Sequence, residues 1–404
     1  MTNNFEKRFI KGIVITLVIA IPLFANNAFA QKWPVNTDTA SLKFTVEKAP
    51  KWTSLFERNS GWFGADGIYS IPLNGNDSPG NHTKTLLVFS DTMIGEVKDD
   101  KPQPGYVMVH NTCAYVDGVP PNDHIKFYYA KDESGKPKTM FIPNTPNAQP
   151  NDFYWLGDGF VNPVNGKTYI HAFRVKSLND SDAFAFEEVG TSLIILPKGS
   201  KPPFTNQQQI DAPFFITGKN KDDYGVLGSC VFVNTKSAGA PNPDGYIYVY
   251  GTKPKHLSLL VARVLPQYYE DFSKWRYWDG QTWNTDINKI AEVTTRVSHE
   301  LSVSPLPDGR YALIFQTDGL GNSVGLRLGL HPQGPFGPVI GLYDAPENKM
   351  NKNFIPYNAK AHTNLSYPGE LLISYNVISL DFFNDIKKYA HHYHPRFIRV
   401  KLEQ

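Results

Sequence analysis

The sequence of 404 residues contains only two cysteines and carries almost no net charge. Cys113 and Cys230 allow one disulfide, although two buried free thiols fit the sequence equally well, and the pair lacks the spacing of a zinc site. Lys and Arg together number 40, and Asp and Glu number 38. The chain therefore lacks the basic excess that is typical of nucleic-acid-binding proteins, and we expect no nucleic acid among its partners.

Several enzyme motifs are also missing. The sequence has no GxSxG, HExxH or Walker motif, which excludes the commonest sites of serine hydrolases, zinc proteases and P-loop enzymes. The glycine-rich stretch at 319–325 lies between two β-like runs and is not followed by the helix of a dinucleotide site. The acidic stretch at 179–184 lacks the rest of a calcium-binding loop. The sequence therefore predicts no required cofactor.

Long apolar runs are restricted to the N-terminus. Basic residues at positions 7, 8 and 11 precede an apolar run over 13–24, and residues 28–30 (Ala-Phe-Ala) form a small-x-small cleavage pattern. This run is shorter than the ~20 residues that a membrane helix needs. We predict a signal peptide at 1–30 and a periplasmic or secreted mature protein that is monomeric and has no membrane span.

Helical periodicity is scarce, whereas short alternating runs of β-branched and aromatic residues are frequent. Gly, Pro, Asn or Asp borders these runs, as is typical of strands joined by turns. The clearest runs lie at 86–92, 168–175, 245–252, 258–264, 310–317, 323–330, 370–377 and 396–402. The chain is therefore predicted to be all-β.

A polar turn, a strand, a second turn and a second strand recur five times along the chain. The units begin at Asp66, Asp158, Tyr224, Glu300 and His362. Such repetition predicts a single five-bladed β-propeller domain over residues 31–404. The segment 41–47 would then pair with the last blade and close the ring. Two stacked β-sandwich domains are the alternative architecture, although no linker is evident between them.

A propeller would bring distant polar residues together. Its innermost strands all run in the same direction, so their starts meet at one mouth of the central channel, and the end of each second strand returns to that mouth. Asp91 and Asn376 occupy such second-strand ends. Carboxylates that share a partly dry funnel have their pKa values pushed apart, and glycoside hydrolysis needs an acid and a base of this kind.

Nine short stretches resemble one family of secreted proteins. In order, they are GADGIYSIPL, LLVFSDTMIG, VHNTCAYV, HELSVSPLPDGRYALIFQ, LHPQGPFGPV, LYDAPE, YNAKAHTNLS, ELLISYNV and YHPRFIRVKL. They are similar to the secreted bacterial five-bladed propellers of unknown function that are related to the endo-D-arabinanases of mycobacteria and gut Bacteroidetes. The resemblance covers roughly residues 55–402. It implies a glycoside hydrolase that cleaves a furanose-containing, arabinan-like polysaccharide.

More distantly, the sequence resembles the five-bladed arabinanase and invertase-type hydrolases. Those enzymes use an Asp at the start of blade one as base or nucleophile, a second Asp to tune it, and a Glu as acid. Asp66 matches the first of these residues, and Asp158 matches the second by its place in blade two. Glu300 departs from the pattern, because it begins blade four whereas the acid of those enzymes begins blade three.

The candidate site residues follow from these positions. Asp66 and Glu300 are the expected principal pair, with Asp91 and Asp158 as tuning or alternative catalytic carboxylates. The polysaccharide or oligosaccharide substrate is expected to contact Trp62, Asn111, Trp155, Tyr224, Tyr357, His362 and Asn376. No metal ligand is predicted, and the presence of a structural calcium ion in the channel is left open.

Two alternative functions are compatible with the same sequence. A non-catalytic carbohydrate-binding or surface-scaffold propeller is the main alternative, because the fold hosts both activities. A uronate lyase is the second, which the near-neutral charge does not favour. The tryptophans at 275, 278 and 283 are predicted to pack within a sheet, and the HHYH run at 391–394 is predicted to be a solvated loop.

Overall fold

Antiparallel strands make up nearly all regular structure in the described part of the chain. The computed structural model describes residues 36–81, 83–117, 125–179, 182–218, 220 and 223–403. The predicted signal peptide lies outside these residues. Within them, helix is confined to short turns, so the prediction of an all-β protein is confirmed. No helix in these ranges has the length and apolar character that crossing a membrane requires.

The described strands are numbered in chain order. They are β1 (Phe44–Lys48), β2 (Ser60–Ala65), β3 (Tyr69–Pro72), β4 (Lys84–Phe89), β5 (Thr92–Lys98), β6 (Lys101–Pro102), β7 (Val107–Val109), β8 (Thr112–Asp117), β9 (Ile125–Tyr128), β10 (Ala130–Lys131), β11 (Pro137–Lys138), β12 (Asp152–Val161), β13 (Thr168–Ser177), β14 (Phe186–Leu196), β15 (Gln208–Ala212), β16 (Phe215–Thr217), β17 (Tyr224–Val233), β18 (Ile247–Lys253), β19 (Ser258–Val264), β20 (Arg276–Trp278), β21 (Trp283–Asn284), β22 (Leu301–Pro305), β23 (Tyr311–Gln316), β24 (Ser323–Gly329), β25 (Ile340–Asp344), β26 (Phe354–Ala361), β27 (Glu370–Ser379) and β28 (Arg396–Leu402). The α-helices are α1 (Pro50–Thr53), α2 (Glu347–Met350) and α3 (Phe382–Asp385). The 3₁₀ turns are Ser54–Phe56, Pro254–His256, Pro266–Tyr268, Phe272–Lys274, Ile287–Lys289, Thr363–Leu365 and Ala390–His392.

Five antiparallel sheets follow one another along the chain, and we number them sheet 1 to sheet 5. Their strand orders are β3-β4-β8-β9, β12-β13-β14-β15, β16-β17-β18-β19-β20-β21, β22-β23-β24-β25 and β26-β27-β28-β1. A smaller sheet joins β2, β5, β6 and β7, and β10 pairs with β11. Each of the eight runs singled out in the sequence falls on a strand, so those strand predictions are confirmed.

The N-terminal strand is paired with the C-terminal one. In this pair, Phe44 of β1 lies opposite Leu402 of β28, and Lys48 lies opposite Ile398. The prediction that the segment at 41–47 joins the last sheet is confirmed. The pairing covers the outer edge of β28 with backbone hydrogen bonds, which removes an exposed strand edge.

Both faces of each sheet are buried against a neighbouring sheet. In β4, Leu86 and Val88 pack in a cluster with residues of sheet 2, whereas Leu87 and Phe89 pack in a cluster with residues of sheet 5. Alternate residues of a strand point to opposite faces, so a strand that is covered on both sides needs a continuous apolar run. The run LLVF in β4 meets this need.

One strand from each of the five sheets contacts a strand of the next sheet in succession. β3 packs against β12, β12 against β17, β17 against β22, and β22 against β26. The succession returns to sheet 1, because the hydroxyl of Ser70 in β3 donates to the side chain of Asn364, which follows β26, over 2.9 Å. These five strands therefore lie around one central space.

Two predicted unit starts differ from the structure. β12 begins at Asp152, so Asp158 lies inside the strand and not at its start. His362 follows the end of β26 and precedes a 3₁₀ turn, so it is not at the start of a strand either. The sequence pattern placed the starts of the second and fifth units too late. The first strands of sheets 2 and 5 begin several residues before Asp158 and His362.

Further predictions about packing have mixed outcomes. Both cysteines are free and buried, so they do not form a disulfide. Trp275 is fully buried, and the rings of Trp278 and Trp283 lie 5.2 Å apart, so the predicted packing role of the three tryptophans is confirmed. The prediction of a solvated loop at 391–394 is wrong, because residues 392–394 are buried.

Candidate active site

A cavity of ≈ 380 Å³ opens at the mouth of the central space. Three of the four predicted catalytic carboxylates line it, namely Asp66, Asp91 and Glu300. They come from sheet 1 and from the start of sheet 4, which are more than 200 residues apart in the sequence. The predicted convergence of distant acids at one mouth is thus present for these three residues.

Asp66 and Asp91 are held together by the backbone. The amide of Asp66 donates to the carbonyl of Asp91 over 3.2 Å, and the amide of Ser90 donates to the carbonyl of Asp66 over 3.0 Å. Gly67 permits this approach, because it has φ +64° and a Cβ there would lie 3.2 Å from the nitrogen of Ser90. The glycine that follows Asp66 therefore allows its turn to pack against the end of β4.

The Asp66 carboxyl is almost enclosed by protein. The hydroxyl of Tyr357 donates to its Oδ2 over 2.8 Å. Burial, together with the negative charges of Asp91 and Glu300, raises the pKa of Asp66 well above its usual value. Asp66 is therefore suited to hold a proton at a higher pH than an ordinary aspartate does.

Glu300 lies in the opposite electrostatic environment. Its Oε2 forms an ion pair with the ammonium group of Lys360, and its Oε1 accepts a hydrogen bond from the amide of Asn358 over 2.8 Å. Lys360 is only 2% exposed, and its nitrogen also lies 4.5 Å from the centre of the Tyr69 ring. A buried cation and an amide donor therefore hold the two oxygens of the Glu300 carboxylate.

Asp91 is bound by two side chains at the edge of the cavity. Nε1 of Trp155 donates to its Oδ2 over 3.1 Å, and Nδ1 of His110 lies 3.0 Å from its Oδ1. Both carboxylate oxygens therefore have a fixed partner. The charge of Asp91 contributes to the raised pKa of Asp66, and Trp155 forms part of the cavity wall.

Asp158 lies deeper, beside a second cavity of ≈ 50 Å³. Its oxygens accept hydrogen bonds from the amides of Gly159 over 2.8 Å and Val231 over 2.7 Å. Burial raises its pKa to about 7, and Lys360 and Glu300 are among the charges that it senses. The structure places Asp158 behind the Glu300–Lys360 pair and outside the larger cavity, which fits a tuning position better than direct contact with a substrate.

Two of the predicted substrate contacts are core residues. Trp62 is 1% exposed, and its ring stacks on Phe127 at 4.4 Å within the core between sheets 1 and 5. Asn111 is completely buried, and its amide joins Phe141 and Tyr154 by hydrogen bonds to their backbones. Neither side chain reaches the cavity, so both predictions are wrong.

His362 and Asn376 were also predicted to contact the substrate, but the structure places them elsewhere. The ring nitrogens of His362 lie 3.1 Å from the hydroxyl of Ser70 and 2.7 Å from that of Ser374, and burial lowers its pKa to about 3. Asn376 is buried and donates to the backbone carbonyl of Ala65 over 3.1 Å. His362 connects sheet 5 to sheet 1, Asn376 connects sheet 5 to β2 of the smaller sheet, and neither lines the larger cavity.

The remaining predicted contacts do line the larger cavity. Trp155, Tyr224 and Tyr357 contribute to its wall. The Tyr224 ring stacks on Phe215 at 5.1 Å, which fixes its orientation. Aromatic rings fixed beside carboxylates are suited to a ligand that has both apolar faces and hydroxyl groups.

Four polar residues of this region escaped the sequence analysis. Glu188 is buried, and its Oε1 lies 2.8 Å from Nε2 of His299; both residues line the larger cavity. The hydroxyl of Tyr393 donates to the backbone carbonyl of Asp91 over 3.2 Å. The fourth of these residues is Lys360, which forms the ion pair with Glu300. The sequence did carry one signal, since Lys360 is a charged residue that stands between two alanines.

The second cavity is lined by the carboxylates of Asp77 and Asp158. Among the described residues, no group of three or more His, Cys, Asp or Glu side chains could hold a metal. The wall of the second cavity also contains the Lys360 ammonium group, which would repel a cation beside Asp158.

A family model described as a domain of unknown function, DUF5005, matches residues 50–402. The chain belongs to the DUF5005 family. None of the curated proteins compared with this DUF5005 protein matches it.

Solved structures support the fold of this DUF5005 protein. A protein from Bacteroides ovatus, provisionally assigned as a hydrolase, superposes with a TM-score of 0.67 at 21% identity, over 91% of this chain and 94% of that one. A GH43_1 enzyme from Xanthomonas citri gives a TM-score of 0.44 at 13% identity, over 88% and 90% of the two chains. The α-L-arabinofuranosidase PaAbf62A from Podospora anserina gives 0.41 at 11% identity, over 86% and 98%. The first similarity shows a shared fold, and the other two are too distant to carry an argument.

Proposed function

We propose that this DUF5005 protein is a secreted glycoside hydrolase that cleaves a furanose-containing, arabinan-like polysaccharide. In this proposal, sheets 1 to 5 are the blades of one five-bladed β-propeller domain, which acts as a monomer after removal of the signal peptide. The observation that carries the proposal is that Asp66 and Glu300 line one cavity in opposite electrostatic environments. General acid and base catalysis requires two carboxyl groups in different environments.

The environments suggest which carboxyl group plays which role. Asp66, whose pKa is raised, would be the general acid and donate its proton to the glycosidic oxygen as the bond to the anomeric carbon breaks. Glu300, which Lys360 holds in place, would be the second catalytic carboxylate. It would either take a proton from the attacking water or attack the anomeric carbon itself, and the separation of the two groups in the substrate complex decides between these routes.

This assignment reverses the roles that the distant resemblance implied. There the Asp of the first blade was the expected base and the Glu the expected acid. In this chain, a buried lysine contacts the Glu, and the Asp is buried beside two other carboxylates. Asp91 would then keep the pKa of Asp66 high, and Asp158 would act on the Glu300–Lys360 pair from behind.

The wall of the cavity is compatible with a sugar. Trp155, Tyr224 and Tyr357 offer ring faces and hydroxyl or N–H groups, and Glu188 with His299 adds further polar atoms. The provisional hydrolase assignment of the Bacteroides ovatus protein, which shares the fold, points in the same direction. Because one fold hosts many functions, the argument depends on the site and not on the fold.

The test is a panel of arabinans, galactans and related glycans, with products read by mass spectrometry. We expect the wild-type protein to shorten at least one furanose-containing glycan. Asp66→Asn and Glu300→Gln should each lower kcat by about 10²–10⁴-fold, the usual contribution of a general acid or base. Asp279→Asn, in an exposed turn, is the matched control and should not change the rate.

A second measurement separates the two roles. An aryl glycoside with a good leaving group needs little protonation, so Asp66→Asn should retain much more activity on it than on the polysaccharide, whereas Glu300→Gln should not. Native rates for both variants would place the catalysis elsewhere. Failure of the folded wild-type protein to release sugar from any glycan would favour the non-catalytic carbohydrate-binding alternative.

A further inference from the structure

A second surface cavity, which we call the side groove, opens next to the proposed active site. Its volume is ≈ 630 Å³, larger than the ≈ 380 Å³ of the active-site cavity. The two cavities share the wall residues Asp91, Met108, Trp155, Ala183 and Phe186. A ligand that leaves the active-site cavity past Trp155 therefore enters the side groove directly.

The side groove has an unusual share of exposed apolar side chains. Ile142 is 51% exposed, Met108 is 39% exposed and Phe186 is 37% exposed, and all three line the groove. Single exposed apolar residues are common, but a group of them in one concave surface points to a binding surface. Lys138 and Thr139 lie in the same wall and supply polar atoms between the apolar ones.

The wall shared by the two cavities is held rigidly. The Trp155 ring packs edge-on against Phe186 at 4.5 Å, while its Nε1 donates to Asp91. His110 contacts Asp91 as well, and its ring stacks on Phe153 at 3.8 Å. A binding surface that is already ordered loses little entropy when a ligand binds. The same contacts connect the side groove to a carboxylate of the proposed active site.

We propose that the side groove binds further sugar units of the glycan chain whose scissile bond lies between Asp66 and Glu300. This inference rests on the proposed function and specifies its substrate as a chain of several sugars. A pocket of ~300–1,000 Å³ holds a whole drug-sized ligand, so the side groove has room for more than one sugar ring. Sugar rings have apolar faces and a polar rim, which matches the alternation of Ile142 and Phe186 with Lys138 and Thr139.

The experiment measures binding, so that it does not depend on catalysis. Dissociation constants for α-1,5-linked arabino-oligosaccharides of two and six units are measured by calorimetry on the full mature chain carrying Asp66→Asn. We expect the hexasaccharide to bind at least tenfold more tightly than the disaccharide. Ile142→Ser and Phe186→Ala should each reduce that ratio by about three- to tenfold, which is a typical effect of losing one apolar contact.

Matched controls are exposed apolar residues outside both cavities. Val164→Ser, at a side chain that is 62% exposed, pairs with Ile142→Ser, and Tyr268→Ala, at one that is 42% exposed, pairs with Phe186→Ala. Neither control should change the ratio. Equal affinities for the two oligosaccharides, no binding of either, or a ratio that the groove variants leave unchanged would each overturn the proposal.

The two proposals can fail separately. If the wild-type protein hydrolyses none of the glycans but the hexasaccharide binds more tightly and the groove variants abolish this advantage, the side groove is confirmed and the hydrolase proposal fails. If the protein hydrolyses the disaccharide and the hexasaccharide with equal kcat/KM and binds them equally, the hydrolase proposal stands and the side groove proposal fails.

Discussion

Replacement of Lys360 by methionine should test the electrostatic core of the proposed site. Methionine has a similar length, so the substitution removes the charge and keeps most of the packing volume. It leaves the Glu300 carboxylate, which is 8% exposed, without its cation. Breaking a buried ion pair by removing one partner typically costs about 3–5 kcal/mol of unfolding free energy, because an uncompensated charge stays buried.

The contact of Lys360 with Tyr69 is lost in the same variant. A cation near an aromatic ring contributes about 0.5–2 kcal/mol, but this contact and the ion pair share one ammonium group, so their costs are not simply added. We therefore expect Lys360→Met to lower the unfolding free energy by about 3–5 kcal/mol. Urea unfolding near pH 7, analysed by linear extrapolation, measures this change.

A double-mutant cycle with Glu300→Gln decides whether the cost comes from the ion pair. Glu300→Gln alone leaves the lysine charge buried, whereas the double variant has no charge at either position. The double variant should be more stable than the sum of the two single costs predicts, by about 2 kcal/mol or more. Lys401→Met is the matched control, since Lys401 is also a strand lysine paired with a glutamate, Glu47, but both are about half exposed; its cost should stay below about 1 kcal/mol. Strictly additive costs, or a Lys360→Met cost as small as that of the control, would refute the reasoning.

Three further predictions concern stability and the corrected site. Asp158→Asn should cost about 1–3 kcal/mol in urea unfolding, because an amide has one acceptor oxygen for the two backbone donors that the carboxylate now satisfies; wild-type stability would contradict this. Burial and the charge of Asp158 raise the pKa of Asp77 to about 8. The folded protein therefore keeps a proton that the unfolded chain loses near pH 4. The extra proton stabilises the folded state at low pH, and this stabilisation is lost as the pH rises to about 8. Asp77→Asn should therefore lessen the fall of stability between pH 5 and 8 by up to about 1.4 kcal/mol per pH unit, and an unchanged slope would exclude the idea. Trp62→Ala should cost about 3–5 kcal/mol of stability and leave KM unchanged, whereas Trp155→Ala should raise KM. The opposite pattern would indicate that Trp62 contacts the substrate.

The sequence predicted the strands well because each sheet is covered on both faces. In a chain without helical periodicity, a short apolar run such as the one in β4 indicates a buried strand. Such runs could therefore be assigned to strands directly. The convergence of Asp66 and Asp91 was also predictable, since both lie at the same end of paired strands. Local pattern and strand direction were sufficient for these features.

The substrate contacts were predicted less well, because burial depends on the packing between sheets. Trp62 is close in sequence to Asp66, yet it faces the core between sheets 1 and 5. Asn111 and Asn376 are polar residues near strand ends, but their amides satisfy buried backbone groups of other segments. A sequence shows the type of a side chain and its place along a strand, but it does not show which neighbouring backbone needs a hydrogen-bond partner.

The most consequential feature was hidden by an irregular strand. Residues 357 and 358 would point to opposite faces of a regular strand, so only one of them could reach the funnel. In β26 the register shifts between Tyr357 and Lys360, and Asn358 has φ +60°. This bulge allows Tyr357 to bind Asp66 while Asn358 and Lys360 bind Glu300. One irregular segment of sheet 5 therefore contacts both members of the proposed acid–base pair and contributes to their different environments. Because bulges of this kind alter the alternation on which strand prediction depends, the residues that distinguish the two carboxyl groups are those that the sequence pattern could not assign.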